Sequence, residues 1–356
     1  MKIALIIGTR PEIIKMSPII RECQGQCLDY FILHTGQHYS YEMDRIFFDE
    51  LNLPHPKYNL NIGSGSHAEE TGQMLMGIEK VLLAEKPDVV LVLGDTNTTL
   101  AGALAAAKLH IKLGHVEAGV RSYDRNMPEE INRILVDHIS DYLFPPTNHG
   151  REILLNEGIA DRNIFTTGST VVEAVSQNLE TTLRETHKEP ESSSYFLVTC
   201  HRQENVDVPE QLGAIFKGLS LVYQEFQLPL IYPLHPRTKK SIKSFGLDTP
   251  AGVKFIKPVG YLECLRLEKN ARLILTDSGG VLMEACVLHV PCVTLRNSIE
   301  LVETVEIGAN VLAGCEPGNI LQAVKQMLEK SNQWPNLLGD GTAARQTLEI
   351  ITGQCP

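Results

Sequence analysis

The sequence lacks a surplus of positive charge and any long apolar run, and both absences exclude partners. Its 32 Lys and Arg residues stand against 43 Asp and Glu residues, which gives a formal net charge of −11 at pH 7. Proteins that bind nucleic acids or anionic membranes through phosphates present a basic face. No apolar run approaches the roughly 18 residues of a membrane span. We therefore expect neither nucleic acid nor a membrane as a partner.

Cysteine is present but lacks the spacing of a metal or disulfide site. The eight cysteines are scattered, and no two form a CxxC pair. This pattern argues against a zinc cage or a disulfide framework and favours free thiols in a reducing compartment. The six apolar or glycine residues after Met1-Lys2 are too few for the hydrophobic segment of a signal peptide. We expect a cytoplasmic protein without a bound metal.

Short apolar runs rich in β-formers recur along the chain and predict its fold class. Stretches with helical periodicity, such as 13–20, 75–83 and 320–328, lie between most of them. Continuous apolar strands that alternate with helices are typical of buried parallel strands, so we predict a doubly wound α/β architecture. The predicted strands are residues 3–7, 30–34, 89–93, 113–116, 142–144, 164–167, 195–199, 229–234, 253–256, 273–275, 292–295 and 310–312.

A polar stretch without periodicity, ETHKEPESSS at 185–194, divides these strands into two sets. It is the best candidate for a linker. The chain length of 356 residues also fits two domains, at roughly 100–200 residues each. We predict two Rossmann-like domains, 1–184 and 185–356, with the last helix a candidate for packing back on the first domain.

Polar clusters follow most of the predicted strands. Turn and cap chemistry accounts for Gly, Asp, Ser and Thr at such positions, but Arg and His are not turn formers. Parallel sheets bind ligands beyond the carboxyl ends of their strands, so we expect two facing sheets with a ligand cleft between the domains. The clusters are Gly8-Thr9-Arg10, Gly36-Gln37-His38, residues 94–98, Glu117-Ala118-Gly119, residues 201–205, residues 235–238 and residues 277–280.

Two clusters suggest phosphate binding. No GxGxxG follows a predicted strand and no GxxxxGK[ST] occurs, so neither a dinucleotide fingerprint nor a P-loop is expected. Ser278-Gly279-Gly280 leads into a predicted helix whose first N–H groups suit an anion, and Glu284 lies further along to accept from ribose hydroxyls. Arg10 and Lys15 stand at another helix start, where cations oppose the helix dipole. They are either surface charges or ligands of a phosphate.

Carboxylates are the catalytic candidates. Asp95 and Glu117 each follow a buried strand, and grouped carboxylates can serve as acid and base. His201, which titrates near neutral pH, is a candidate to join them. Glu129 stands at a predicted helix start, where acids are common, and its spacing from Arg133 is also that of a helix ion pair.

Eight segments, in order, resemble the non-hydrolysing UDP-N-acetylglucosamine 2-epimerases over essentially the full chain. The resemblance implies the two-domain glycosyltransferase-B fold, a homodimer, a UDP-sugar substrate and no nicotinamide cofactor. The matching segments are GTRPEIIK at 8–15, TGQH at 35–38, GDTNTTLAGALAA at 94–106, GHVEAGVRS at 114–122, MPEEINR at 127–133, HRQEN at 201–205, HPRTKK at 235–240 and TDSGG at 276–280.

The resemblance also implies a reaction and residue roles. UDP-N-acetylglucosamine loses its C2 proton and UDP, passes through 2-acetamidoglucal, and becomes UDP-N-acetylmannosamine, a precursor of surface polysaccharides. Asp95, Glu117, Glu129 and His201 resemble the acid/base set. The substrate-binding set, with Glu284 at the ribose and most of the others at the diphosphate, is Arg10, Lys15, Arg202, His235, Ser278, Gly279, Gly280 and Glu284.

Three departures from the family pattern leave other functions open. Leu282-Met283 replace a Gln-Glu pair, Leu301-Val302 replace an Arg-Pro pair, and Ser169 replaces Asn. The alternatives are a 2-epimerase of a modified UDP-N-acetyl sugar, a hydrolysing relative, a glycosyltransferase, or a weakly active UDP-sugar-binding relative. Tyr39-Ser40 stand where many members have a polar pair near an allosteric UDP-sugar site, so we do not predict that regulation.

Overall fold

The computed structural model describes residues 1–37, 41–185 and 195–354. Nearly all of the predicted linker lies outside these residues, as do His38, Tyr39, Ser40 and Cys355. The chain divides into two units, one of Met1–Ser176 with Leu338–Pro356 and one of Gln177–Leu337. The division falls inside the helix Thr170–Glu185, ahead of the polar stretch. A helix keeps its periodicity through such a point, so no local composition marks it.

Twelve strands are found within the described residues. They are β1 Lys2–Ile7, β2 Asp29–His34, β3 Tyr58–Asn59, β4 Val89–Leu93, β5 Lys112–Val116, β6 Tyr142–Phe144, β7 Phe196–Thr199, β8 Leu230–Pro233, β9 Val253–Ile256, β10 Leu273–Thr276, β11 Cys292–Thr294 and β12 Asn310–Leu312.

The α-helices surround the strands, and Asp161–Asn163 adds one turn of 3-10 helix. They are α1 Arg10–Gly25, α2 Tyr41–Glu50, α3 His67–Glu85, α4 Asn97–Lys108, α5 Pro128–Ile139, α6 Asn148–Asn156, α7 Thr170–Glu185, α8 Gln203–Val206, α9 Pro209–Phe226, α10 Pro236–Phe245, α11 Tyr261–Asn270, α12 Gly279–Leu288, α13 Glu303–Glu306, α14 Pro317–Glu329 and α15 Ala343–Thr352.

Each unit contains one parallel six-stranded sheet, which confirms the predicted doubly wound class. The first sheet has the order β3-β2-β1-β4-β5-β6 and the second has the order β12-β11-β10-β7-β8-β9. In each sheet the order reverses at its centre, between β1 and β4 and between β7 and β10. Ligands of such sheets bind at that switch point, beyond the carboxyl ends of the strands.

Burial of both faces of each sheet explains why the strands could be predicted from the sequence. Residues 3–7 of β1 are fully buried, as are most residues of β4, because helices cover both sides of each sheet. In the first unit, α15 packs against α1, so the last helix of the chain belongs to the same unit as the first. None of the described helices is long and apolar enough to cross a membrane.

One predicted strand was wrong, and one observed strand was not predicted. The two-residue strand β3 was missed because so short a pairing has no readable alternation. The predicted strand at 164–167 forms only a bridge between Leu143 and Ile164. The chain then turns at Gly168, whose φ of +85° suits glycine. The other predicted strands agree with the structure to within one residue at each end.

Candidate functional site

The first unit gathers four of the predicted site residues at the carboxyl ends of β1, β4 and β5. Arg10 opens α1 directly after β1, and its guanidinium lies 4.9 Å from the ring centroid of Phe47. Asp95 follows β4 and Glu117 follows β5. A Cβ placed on Gly94 would lie 3.9 Å from Oε2 of Glu117, so the carboxylate of Glu117 adjoins the β4 loop.

Lys15 and Glu117 form a close ion pair. Nζ of Lys15 lies 2.8 Å from Oε1 and 2.7 Å from Oε2 of Glu117, and both side chains are largely buried. The backbone of Glu117 has a φ of +67°, a conformation that costs a non-glycine residue about 1–3 kcal/mol and is concentrated at functional sites. The sequence predicted Lys15 as a phosphate ligand; in the structure it also holds a candidate catalytic carboxylate in place.

Asp95 is held by Arg133. Oδ2 of Asp95 accepts from Nη2 of Arg133 at 2.6 Å and from Nε at 3.2 Å. The same guanidinium pairs with Glu130, which is buried and also accepts from the backbone N–H groups of Ser122 and Tyr123 at 2.9 Å. Arg133 therefore orients Asp95 from the helix α5 side.

Glu129 does not join this group. Arg133 is 3% exposed, and its guanidinium pairs with Asp95 and Glu130 on the buried face of α5. Glu129 is instead exposed in the first turn of that helix.

Glu12 is a site residue that the sequence analysis missed. It is buried, and its carboxylate accepts from the backbone N–H groups of Gly8 (2.9 Å) and Thr9 (2.7 Å) and from the hydroxyls of Thr96 (2.8 Å) and Thr99 (3.1 Å). Burial raises the pKa of Glu12, and these hydrogen bonds oppose the rise. Glu12 thus ties the β1 loop to the β4 loop. The Thr-x-x-Glu spacing of a capping box was the available signal.

A second missed group lies beneath the β4 and β5 loops. Asp137 is fully buried and accepts from Nδ1 of His115 (2.6 Å), Nη2 of Arg121 (2.7 Å) and the N–H of Gly119 (3.1 Å). Nε2 of His115 lies 2.8 Å from the carbonyl oxygen of Gly94. Both ring nitrogens of His115 therefore face groups that accept hydrogen bonds. This network fixes the loop that precedes Asp95.

In the second unit, Asp277 organises the loop that carries His201 and Arg202. Its buried carboxylate accepts from the N–H groups of His201 (3.1 and 3.0 Å) and Arg202 (2.9 Å) and from Nδ2 of Asn205 (3.0 Å). The ring of His201 is 41% exposed, with Nδ1 3.9 Å from Oδ1 of Asp277. It packs on the ring of His235 at 5.2 Å between centroids. Asp277 was not predicted as a site residue.

His235 and Ser278 cap the helices that begin at this edge. Nδ1 of His235 accepts from the N–H of Arg237 at 3.2 Å at the start of α10. Ser278 caps α12, with its Oγ 3.5 Å from the N–H of Val281. A Cβ added at Gly279 or Gly280 would meet nothing closer than 3.8 Å. The fold itself does not require glycine there, and the space beside this helix start is of the kind that admits an anionic ligand close to the backbone N–H groups.

Two arginines stand beside this glycine pair. Arg296, which the sequence analysis missed, pairs through both Nη atoms with Glu300 at 2.8 Å. Nη2 of Arg202 lies 3.6 Å from Oε1 of the same carboxylate. Oε2 of Glu300 would be 3.9 Å from a Cβ at Gly279. The second unit therefore brings Arg202, Ser278 and Gly279 together with Arg296, a cation that the sequence analysis did not predict.

Glu284 lies on the same helix and is buried. Its neighbours Leu282 and Met283 are buried apolar residues. Burial, and then the charge of Glu284, raise the pKa of Tyr261 on α11 well above its ordinary value. Ser169 is buried in the first unit, where its N–H donates to the carbonyl oxygen of Leu338 at 2.8 Å. No cluster of three His, Cys, Asp or Glu side chains suited to a metal occurs in the part of the chain that the structure describes.

Comparisons with known proteins identify relatives along nearly the whole chain. The family described as UDP-N-acetylglucosamine 2-epimerase matches residues 21–352. A UDP-N-acetylglucosamine 2-epimerase of Methanocaldococcus jannaschii is 54% identical over 99% of this chain and 99% of its own. A UDP-2,3-diacetamido-2,3-dideoxy-D-glucuronate 2-epimerase of Pseudomonas aeruginosa is 44% identical, again over 99% of each. The crystal structure of the M. jannaschii enzyme in complex with UDP-N-acetylglucosamine and UDP is similar with a TM-score of 0.94, covering 99% of this chain and 100% of that one.

Proposed function

Because the chain belongs to the UDP-N-acetylglucosamine 2-epimerase family and is therefore an isomerase, we propose that it interconverts UDP-N-acetylglucosamine and UDP-N-acetylmannosamine. The observation that carries the proposal is the grouping of Asp95 and Glu117, each held by its own cation, at adjacent strand ends. The M. jannaschii relative, crystallised with UDP-N-acetylglucosamine and UDP, supports the choice of substrate.

The proposed reaction is an elimination followed by a re-addition. A base removes the C2 proton, the C2–H electron pair forms the C1–C2 double bond of 2-acetamidoglucal, and the C1–O bond breaks with its electron pair on UDP. UDP then re-forms the C1–O bond while an acid protonates the opposite face of C2. The reaction is redox-neutral, so the proposal requires no cofactor. We assign the acid/base work to Asp95, Glu117 and His201, and to Glu129, which reaches the solvent from the first turn of α5 and lies apart from the Asp95–Arg133 ion pair.

The remaining residues are assigned to the nucleotide. We assign the diphosphate to Arg10, Lys15, Arg202 and His235. The N–H groups of Gly279 and Gly280 and the hydroxyl of Ser278 supply neutral donors at a helix start. Glu284 accepts from the ribose hydroxyls. Support for this assignment is the convergence of Arg202, Arg296 and Gly279 around Glu300.

A modified UDP-sugar is the second candidate substrate. The P. aeruginosa relative, named for a diacetamido-glucuronate, is 44% identical over the full chain, and Leu282, Met283 and Leu301 are buried apolar residues. Supplying both UDP-sugars together and following each by NMR decides between them. We expect UDP-N-acetylglucosamine to have the higher kcat/KM. Preferred turnover of the glucuronate supports the second candidate, and binding without turnover of either supports a weakly active UDP-sugar-binding relative.

We further propose a cytoplasmic homodimer that supplies precursors of surface polysaccharides. Large apolar side chains are exposed on two helices of the first unit that both pack against α4. They are Met76 and Leu83 on α3, and Ile131 and Leu135 on α5, at 41–58%. Exposed apolar side chains that cluster on one face are a common feature of protein–protein interfaces, so this face of the first unit is the candidate dimer contact.

The double variant Ile131→Asp/Leu135→Asp is expected to sediment as a monomer, because charges at this patch oppose its burial between copies. Leu155→Asp, at a similarly exposed site on α6, serves as the control and should sediment like the wild type. A dimer that survives the double variant would show that contacts lie elsewhere.

A further inference from the structure

Glu300 brings a negative charge to the part of the second unit that is assigned to a diphosphate. Its Oε2 accepts from Nη1 of Arg296 and its Oε1 accepts from Nη2, each at 2.8 Å. Nη2 of Arg202 lies 3.6 Å from Oε1, and Oε2 would lie 3.9 Å from a Cβ at Gly279, the first residue of α12. Because the N-terminus of a helix attracts negative charge, this carboxylate lies where an anion is favoured.

The two arginines contact Glu300 in different ways. The side chain of Arg296 is 4% exposed, and its two parallel hydrogen bonds have the bidentate geometry that fixes a carboxylate. The side chain of Arg202 is 25% exposed and lies 3.6 Å from Glu300 through Nη2 and 3.6 Å from Glu204 through Nη1. Both distances exceed that of a hydrogen bond. Arg202 is therefore the cation that can turn to another anion at low cost, whereas Arg296 stays paired with Glu300.

Buried contacts hold the two loops that carry these side chains. Nδ2 of Asn205 donates to Oδ2 of Asp277 at 3.0 Å and to the carbonyl oxygen of Leu295 at 2.9 Å, so it joins the loop after β7 to the end of β11. Asp277 also accepts from the N–H of Arg202 at 2.9 Å. The apolar residues on either side of Glu300 are each 7% exposed. Since the backbone is held at both places, a change of partner by Arg202 is a movement of its side chain.

We propose that Glu300 is a resident anion of the diphosphate site, which competes with the nucleotide for Arg202 and for the start of α12 and so sets the affinity for UDP. The inference rests on the proposed function, in which Arg202 and the start of α12 bind the diphosphate. A diphosphate carries more negative charge than one carboxylate, so it takes Arg202 from Glu300, and Arg296 continues to neutralise Glu300 beside it. A nucleoside without phosphate does not make this exchange.

The test measures binding of UDP to the full-length protein by calorimetry, with uridine as the comparison ligand, and does not rely on turnover. Glu300→Gln removes the charge and keeps the shape. It should bind UDP about tenfold more tightly, the scale of one charge interaction in a partly buried site, and bind uridine as the wild type does. Arg202→Gln should lose more UDP affinity in the Glu300→Gln background than in the wild type, because Arg202 then no longer shares its charge with Glu300.

Glu204→Gln is the matched control. Glu204 also lies 3.6 Å from Arg202, but its side chain is 55% exposed, so its charge is screened by water and salt. This variant should bind UDP within about twofold of the wild type. Melting temperatures confirm that each variant is folded.

Crystal structures of the wild type with and without UDP test the same exchange without any variant. Nη2 of Arg202 should move from Glu300 to a phosphate oxygen, while both hydrogen bonds between Arg296 and Glu300 remain. The proposal is overturned if Arg202 stays beside Glu300 in the UDP complex, if Glu300→Gln binds UDP no more tightly than the wild type, or if neither protein binds UDP. If UDP binds as expected but UDP-N-acetylglucosamine is not turned over, the epimerase proposal fails while this one is still decided.

Discussion

Glu117→Gln is expected to lower kcat for UDP-N-acetylglucosamine by about 10³-fold, in the range for loss of a general acid or base, and to leave the protein folded. Glutamine has the same shape as glutamate but can neither take nor give a proton at this position. The side chain is presented by a left-handed backbone at the end of β5 and is held by Lys15 at 2.7–2.8 Å. The measurement is kcat by NMR together with the melting temperature.

Glu79→Gln provides the control for the loss of one negative charge in the first unit. Glu79 is exposed on α3, and its replacement should leave kcat within about twofold of wild type, as for surface substitutions away from a site. Asp95→Asn should resemble Glu117→Gln, because it removes the second carboxylate of the pair while Arg133 stays in place. A Glu117→Gln protein whose kcat is within threefold of wild type would remove Glu117 from the acid/base set.

Asp137→Ala is expected to destabilise the first unit by about 3–5 kcal/mol, the cost of removing one partner from a buried ion pair. The side chains of Asp137, His115 and Arg121 are fully buried. In the variant, Arg121 keeps its ion pair with Glu157 but loses the one with Asp137, and Nδ1 of His115 loses its acceptor. Urea unfolding measures the change.

Asp141→Ala is the matched control, because Asp141 is partly exposed and pairs with an exposed Lys112. Exposed pairs contribute about 0–1 kcal/mol, so this variant should unfold close to wild type. If Asp137→Ala also unfolds within about 1 kcal/mol of wild type, the buried network does not support the β4 and β5 loops as described.

The effect of Asp137 has a defined pH dependence. Burial alone would raise its pKa, but the charges and hydrogen bonds of His115 and Arg121 outweigh burial and lower the pKa below that of an ordinary aspartate. A group whose pKa is lower in the folded state stabilises the fold above its unfolded pKa, about 3.9 for Asp, and loses that contribution as the pH falls through the folded pKa. The stability difference between wild type and Asp137→Ala should therefore be full at neutral pH and shrink in acid.

The fold was predictable because its strands are buried on both faces. Continuous apolar runs such as β4 can be recognised as buried strands from the sequence alone. Their alternation with helices indicates a parallel sheet. The strand β3 and the bridge at Ile164 were misjudged because their pairing depends on the neighbouring strand rather than on their own composition. The division of the chain falls inside α7, where the helical periodicity continues across the boundary and no local composition marks it.

The candidate site residues that directly follow a strand were predictable from the sequence. Asp95, Glu117 and His201 stand out because their residue types are not needed for turns. Asp277 and Asp137 were missed because each orients a loop by accepting hydrogen bonds from its backbone N–H groups. Those donors are distant in sequence, so no local pattern reveals the contact. Three-dimensional contacts also changed the interpretation of Lys15, which pairs with a carboxylate rather than standing alone.

Deuterium exchange at C2 tests the central proposal, elimination and re-addition at a carboxylate site, most directly. Incubation with UDP-N-acetylglucosamine in D2O should place deuterium at C2 of the UDP-N-acetylmannosamine formed and of the recovered UDP-N-acetylglucosamine. Glu117→Gln should show no exchange over the same period. The account is contradicted if UDP-N-acetylmannosamine accumulates with its original C2 proton, or if the wild-type protein binds the substrate and leaves C2 unlabelled.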